Sequence, residues 1–287
     1  MVVNRTQIRN RIDTFTSLPG LPSVIGRLGE IFENPSLSLR EIGEFLATDQ
    51  SLSSRLLRVA NSAAYGFMRR ITSPTQALLL LGLSTAKSLL LQLAMLDTME
   101  RVLGGLWRHS LANACAARAI TRVKGLSTPE DVTIPSLLHD FGKVPLAVLW
   151  REEYTKVISL AEKHGMPMFQ AEKELLDVTH AEAGAWLAER WNLPGALVES
   201  IRYHHEPHRS KTFPVQTALV HVADVLTITC GLGFSGSAHV PPFSEAALKT
   251  VGLDGTDTEE IVTLTRVLLE EAEGTLADSE EPPEQPL

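Results

Sequence analysis

The sequence predicts an all-α protein. Apolar residues recur at three- and four-residue spacing through most of the chain, the period of one helix face. Ser, Thr and Asp stand where helix N-caps are needed, and Gly or Asn-Pro where helices must stop. No strand-like alternation and no strict repeat interrupts this pattern. Two helical units are expected: an N-terminal bundle over residues 1–103, packed on a second helical domain over 104–277. Gly104-Gly105 is the best boundary signal. An acidic, Pro-rich segment at 278–287 reads as a solvated tail.

Each element follows from local chemistry. Residues 17–22 are turn-rich, and Pro22 can sit near the start of a helix with Val24, Leu28, Ile31 and Phe32 on one face. Asn34-Pro35 ends it. Ser38 and Glu41 form a capping-box pair ahead of Ile42, Phe45 and Leu46. Asp49 or Ser51 caps a helix through Leu52, Leu56 and Val59, which runs out near Asn61-Ser62. Ser73-Pro74 opens an apolar helix that Gly82 interrupts, and a further helix runs to about Met99. In the second unit, a helix over 106–123 ends near Gly125, and Thr128-Pro129 caps the next. Further helices are expected over 152–164, stopped by Gly165, over 169–176, and from the Thr179/Glu182 pair through Trp191. Residues 194–203 and 214–230 continue the series, with a loop over 231–242. Ser244 starts a short helix, and Thr256 with Glu259 caps the last.

Composition excludes several classes. No apolar stretch reaches the roughly 18 residues of a membrane span; the longest, 77–91, is broken by Gly82, Ser84, Thr85 and Lys87. No long apolar core follows Arg5, Arg9 and Arg11, so a signal peptide is not expected. Cys115 and Cys230 are far apart in apolar helical contexts and read as buried free thiols, which fits a reducing cytoplasm. Of the formal charge of −8, seven acidic residues fall between Glu270 and Leu287 with no basic residue among them, leaving the remainder near neutral. No broad basic field for nucleic acid exists. The two capped helices of 38–61, with Arg55, Arg58, Arg69 and Arg70 nearby, allow a DNA-binding helix-turn-helix, but bundle packing is the preferred reading.

Eight residues carry the candidate chemistry, seven of them as candidate metal ligands. His139, Asp140 and Lys143 lie within five residues after an apolar run, and buried charges are costly unless paired or metal-bound. His109 lies in an Ala-rich helix, where taken alone it reads as a satisfied core or groove histidine rather than a ligand, and it joins the candidates only as part of the set. His180 begins a helix with Gly184 one turn later, which would let another group approach the ring. His204 and His205 end a helix near Ile201; two charged imidazoles there would repel, and a shared cation keeps them neutral. Asp224 sits in an apolar helix with no Lys or Arg between Lys211 and Lys249; its partner is either His221, one turn earlier, or a metal. His164 reads as a helix-end residue, and His208 and His239 as solvent-facing loop residues. An all-imidazole and carboxylate set, with no thiolate, suits Fe, Mn, Ni, Zn or Mg rather than a Cys-rich zinc site. Seven ligands suggest two ions with Asp140 bridging.

Six motifs carry a family resemblance: Leu18-Pro19-x-Leu21-Pro22, the run from Arg55 to Ser62, Leu81-Gly82-Leu83, Leu138-His139-Asp140-x-Gly142-Lys143, Trp186-Leu187 with Trp191-Asn192-Leu193-Pro194, and Tyr203-His204-His205-Glu206-Pro207. Over residues 18–229 the chain resembles HDOD proteins, the HD-related output domains of bacterial signalling proteins, and its C-terminal part resembles the HD superfamily of metal-dependent phosphohydrolases. The resemblance implies an N-terminal bundle packed on an HD-like helical domain. Many HDOD members have lost metal ligands and act as non-catalytic signalling modules. This chain instead resembles the HD-GYP phosphodiesterases at the metal positions: His109, His139, Asp140, His180, His204, His205 and Asp224 match ligands, and Lys143 matches a lysine that contacts phosphate or solvent. Two departures point away from a trinuclear site and from cyclic-di-GMP. Glu206-Pro207-His208 replaces the Arg and Gly-Tyr-Pro segment, and Gly105 stands where some of those enzymes place a glutamate.

Two functions are therefore expected in order. The first is a cytoplasmic signalling module that retains a dinuclear site, with Fe or Mn foremost and signalling proteins as partners. The second is a phosphohydrolase acting on a nucleotide or other phosphorylated small molecule, in which two metals and Asp140 activate water and Lys143 offsets developing charge.

Overall fold

Helices account for every regular element of the computed structural model, which describes residues 4–14, 23–34, 36–61, 71–126 and 129–277; no strand occurs among them. The expected turn at 17–22, Pro35, Ser62, Arg69, Arg70, the Thr128 cap and the tail at 278–287 lie outside the described residues.

The N-terminal helices are α1 (Arg5–Ile12), α2 (Ser23–Glu33), α3 (Leu39–Ala47), α4 (Gln50–Asn61) and α5 (Pro74–Val102). The Ser38/Glu41 capping box forms as expected, with Ser38 Oγ accepting from the Glu41 amide. Asp49 rather than Ser51 holds the start of α4, its carboxylate accepting from the Leu52 amide at 2.9 Å. At Gly82 the backbone of α5 leaves helical geometry (φ 74°, ψ 167°), the interruption read from the sequence. Helices α2, α3 and α4 pack against α5. Arg55, a candidate DNA contact, instead donates to both Asp97 carboxylate oxygens (3.1 Å) and to the Leu93 carbonyl.

Then follow α6 (Leu106–Val123), α7 (Pro129–Leu138), α8 (Lys143–Leu149), α9 (Arg151–His164), α10 (Met168–Leu176), α11 (His180–Arg190), α12 (Gly195–Tyr203), a short 3-10 turn (Pro207–Arg209), α13 (Pro214–Thr229), α14 (Glu245–Val251) and α15 (Thr258–Ala277). Helix α6 is the central strut. Its alanines 112, 114, 116, 117 and 119 are fully buried, and these small side chains let α7, α13 and α15 close around it. The buried apolar residues form one continuous cluster running from Ile8 to Ala272.

Three local expectations change. Helix α1 was not expected: an Asn4/Gln7 capping box starts it, and Ile8 and Ile12, one turn apart, are wholly buried as α1 packs on α11. Thr256 does not cap α15; its hydroxyl donates to Asp254 Oδ1 at 2.6 Å, and the helix starts at Thr258. Cys230 is only half-buried, because it closes α13 beside the following loop, whereas Cys115 inside α6 is fully buried and its thiol is pushed up to about 12 by that burial. No single helix among the described residues is long and apolar enough to cross a membrane.

Candidate metal centre

All seven candidate ligands converge. His109 comes from the first turn of α6, His139 and Asp140 from the turn after α7, His180 from the first position of α11, His204 and His205 from the end of α12, and Asp224 from the middle of α13. Six of the seven are at most 2% exposed, and His205 is half-buried. Close backbone approach makes this convergence possible. A methyl group on Gly142 would collide with the His180 carbonyl oxygen, so only glycine lets the turn carrying His139 and Asp140 seat against α11. Gly184 completes that contact, with Phe141 and Ile201 packed where its side chain would be. On the far side, the 231–242 loop presses on α6: a Cβ on Gly233 (φ 83°) would strike the His109 amide, and Phe234 N–H donates to the Gly105 carbonyl.

The ligand atoms divide into two lobes. In the first, His109 Nε2 lies 3.3 Å from His139 Nε2 and 3.0 Å from Asp224 Oδ1. In the second, His180 Nε2 lies 3.3 Å from His204 Nε2 and 2.9 Å from His205 Nε2. Asp140 stands between them. Its Oδ2 is 3.5 and 3.4 Å from His109 and His139, and its Oδ1 is 3.1 Å from His180. Either lobe offers three ligand atoms close enough to share one ion.

Hydrogen bonds behind the rings decide which nitrogens face inward. His139 Nδ1 donates to the Ser136 carbonyl, His204 Nδ1 to the Ile201 carbonyl and His180 Nδ1 to Glu172 Oε2, each at 2.7 Å. Those oxygens can only accept, so in the neutral rings Nε2 carries a lone pair aimed at its neighbours. Lone pairs facing each other at about 3 Å repel unless a proton or cation lies between them. Asp224 Oδ1 is likewise buried; His109 Nε2 is 3.0 Å away but not in hydrogen-bond geometry, and the oxygen has no hydrogen-bond partner among the described residues. Such outward-anchored, inward-facing nitrogen and oxygen donors fit a hard or borderline divalent ion.

Electrostatics in the metal-free protein agree. Burial alone would lower His139, but Asp140 and Asp224 outweigh it and raise the ring to about 10. A proton on His139 thus stands where a cation would. Burial, and after it the neighbouring imidazoles, holds His204 and His205 well below the usual histidine value. Burial opposes ionisation of Asp140, yet Lys143 and His139 hold it well below the carboxylate range; His109 and His139 do the same for Asp224.

Lys143 is 2% exposed, with its Nζ bound to Asp140 Oδ2 (2.6 Å) and the Ser235 carbonyl (2.7 Å). His221 is not the partner of Asp224. Its Nδ1 donates to the His204 carbonyl and its Nε2 accepts the Ser244 amide, so it ties α13 to the end of α12 and the start of α14. His164, His208 and His239 are exposed. Glu172 was missed by sequence reasoning, though it shares the buried face of α10 with Met168 and Leu176, one turn away on each side. It is wholly buried, accepts both the amide and Nδ1 of His180, and takes the Tyr154 hydroxyl on its other oxygen at 2.7 Å.

These features define an all-helical protein built around a buried histidine–carboxylate cluster that could hold a divalent metal. The chain belongs to the HDOD domain family, whose sequence model matches residues 18–207. It is similar to an HDOD domain protein of unknown function from Geobacter sulfurreducens, with 26% identity and a TM-score of 0.65 over 95% of this chain and 98% of that one. It shares its fold with a proposed phosphohydrolase from Shewanella amazonensis, at 22% identity and a TM-score of 0.64 over 94% and 98% of the two chains. An uncharacterized protein of Treponema pallidum (strain Nichols) is 29% identical over 223 residues; these are 76% of this chain and 43% of that protein. The chain therefore matches less than half the length of that relative.

Proposed function

We propose that this protein is a bacterial HDOD regulatory module that binds two divalent ions, Fe or Mn foremost, in a closed centre. The observation that carries this reading is the pairing of a full set of candidate ligands with little open space at Asp140 and Lys143, the neighbouring cleft of about 680 Å³ touching the set only at His205. The cavity that reaches Asp140, Lys143 and His205 measures about 20 Å³, enough for about one water molecule. Phe169 stacks on His205 at 4.3 Å and shares the rim with residues of the 231–242 loop. Bound ions would take the lone pairs of the two lobes, with Asp140 bridging, and would lock five helical segments together. The N-terminal helices would then present a surface to signalling partners; Leu79 and Leu80, adjacent on α5 and 67% and 52% exposed, suit an apolar contact.

A second reading, a phosphohydrolase, is favoured by Lys143 and Asp140 lining that same cavity. It requires the 231–242 loop to lift before a phosphoester could reach the ions, which would supply an activated water. Metal analysis of protein purified aerobically and anaerobically, with a phosphodiesterase and phosphatase panel, separates these outcomes. Two ions per chain without turnover supports the module. Turnover lost in His139→Ala establishes the enzyme, and protein that takes up no metal refutes both.

A further inference from the structure

Away from the metal centre, the end of α5 meets α8 and the start of α9 across a cleft of about 410 Å³. Its charged lining is of one sign among the described residues: Arg101 and Arg151 face it, and no carboxylate among them does. Two acidic residues of α5 are engaged elsewhere, while Glu152 and Glu153, which follow Arg151 in the first turn of α9, are not among the residues lining the cleft. Asp97 pairs with Arg55, and Glu100 accepts the amides of Gly105 and Trp107. Arg101 donates to the Thr98 hydroxyl at 3.1 Å, and among the described residues neither Arg101 nor Arg151 has a carboxylate partner. In a chain with a formal charge of −8, two guanidiniums beside one concavity make a local positive focus.

We propose that this cleft binds a phosphorylated small molecule, with its phosphate between Arg101 and Arg151 and within reach of the Thr98 and Thr155 hydroxyls. Guanidinium groups match phosphate geometry, forming paired, charge-assisted hydrogen bonds. The volume exceeds that of a bare phosphate and falls in the range of small-molecule sites. The remaining wall suits an organic body: Val102, Val148 and Ile158 line it together with Tyr154. The site is separate from the metal ligands and does not depend on the ions being present. It does share Tyr154, whose hydroxyl holds Glu172 and through it His180.

The test is calorimetric titration of the full chain, metal-loaded and metal-stripped, with adenosine monophosphate, inorganic pyrophosphate and adenosine. Binding of at least one of the two phosphate compounds in both metal states, none of adenosine, and a loss of about ten-fold or more in affinity in Arg101→Ala and in Arg151→Ala is expected. Both side chains are exposed, so the variants keep the core, and circular dichroism verifies their helicity. Absence of binding, or binding that survives both substitutions, overturns the proposal. Binding seen only in the metal-loaded form and lost in His180→Ala places the phosphate on the ions; that overturns the cleft and leaves the metal reading standing.

Discussion

Glu172 Oε2 lies 2.7 Å from His180 Nδ1, and that contact decides which nitrogen of the ring faces the second lobe. Removing the carboxylate charge in Glu172→Gln weakens both the orientation of the ring and its basicity. Metal affinity is expected to fall by about 10- to 100-fold, chiefly for one ion. Competition against a chelator of known affinity measures it, and unchanged affinity would show that Glu172 serves packing alone.

Asp140 and His205 differ in reach. The two oxygens of Asp140 face opposite lobes, whereas His205 meets only the second. Metal content per chain should therefore drop from about two ions to none in Asp140→Ala but to about one in His205→Ala. Elemental analysis of the two variants decides this; equal losses would contradict a bridging aspartate.

Metal uptake should depend on pH in a definite direction. His139 is raised to about 10 by Asp140 and Asp224, so it is protonated throughout the neutral range in the metal-free protein. An ion that takes its Nε2 must expel that proton. Affinity should thus rise with pH up to about 10 and fall on acidification, by about ten-fold per pH unit for each proton displaced. Titrations in buffers of different ionisation enthalpy count the protons released; a count of zero at neutral pH would contradict the assignment.

Replacing Gly142 with alanine drives a methyl group into the His180 carbonyl, a collision between two backbones that no side chain can relieve. A destabilisation of about 3 kcal/mol or more is expected, lowering Tm by about 6 °C or more. Gly104→Ala, where a Cβ meets nothing within 4 Å, is the control and should stay within about 0.5 kcal/mol of wild type. Thermal melts of both variants make the comparison.

The two thiols should react at different rates. Cys115 is buried and pushed up to about 12, so it has almost no thiolate at neutral pH, while Cys230 is partly accessible. A thiol reagent should label one site in the native protein and two after denaturation, read by mass spectrometry.

What could be read from the sequence was local or chemical. The Ser38/Glu41 and Thr179/Glu182 capping boxes need only residues three apart, and both form as expected. The seven candidate ligands stood out because imidazoles and carboxylates in apolar helices need partners. Features decided by distant packing were not legible. Helix α1 has just two buried apolar residues, and its docking depends on Arg5 meeting Glu182 at 2.6 Å and on Arg5 and Arg9 lying over Trp186. Thr256 had the right spacing for a cap, but Asp254 binds it, while neighbouring Asp257 is drawn to Lys124, 133 residues earlier in the chain. Glu172 sits beside Lys173 and Glu174 and resembles a solvated charge run until the buried face of α10 is known.

The 231–242 loop has a kinetic consequence. Its backbone at Gly233 rests on the amide of His109, its Ser235 carbonyl holds Lys143, and residues from it rim the narrow opening over the ligands. If the cluster holds ions as proposed, those entering or leaving on this side would wait for the segment to lift, however strongly the donors grip. Loading and stripping should both be slow and should share one temperature dependence. A protein that acquired its ions while folding would hold them through dilution into chelator for as long as the loop stays down.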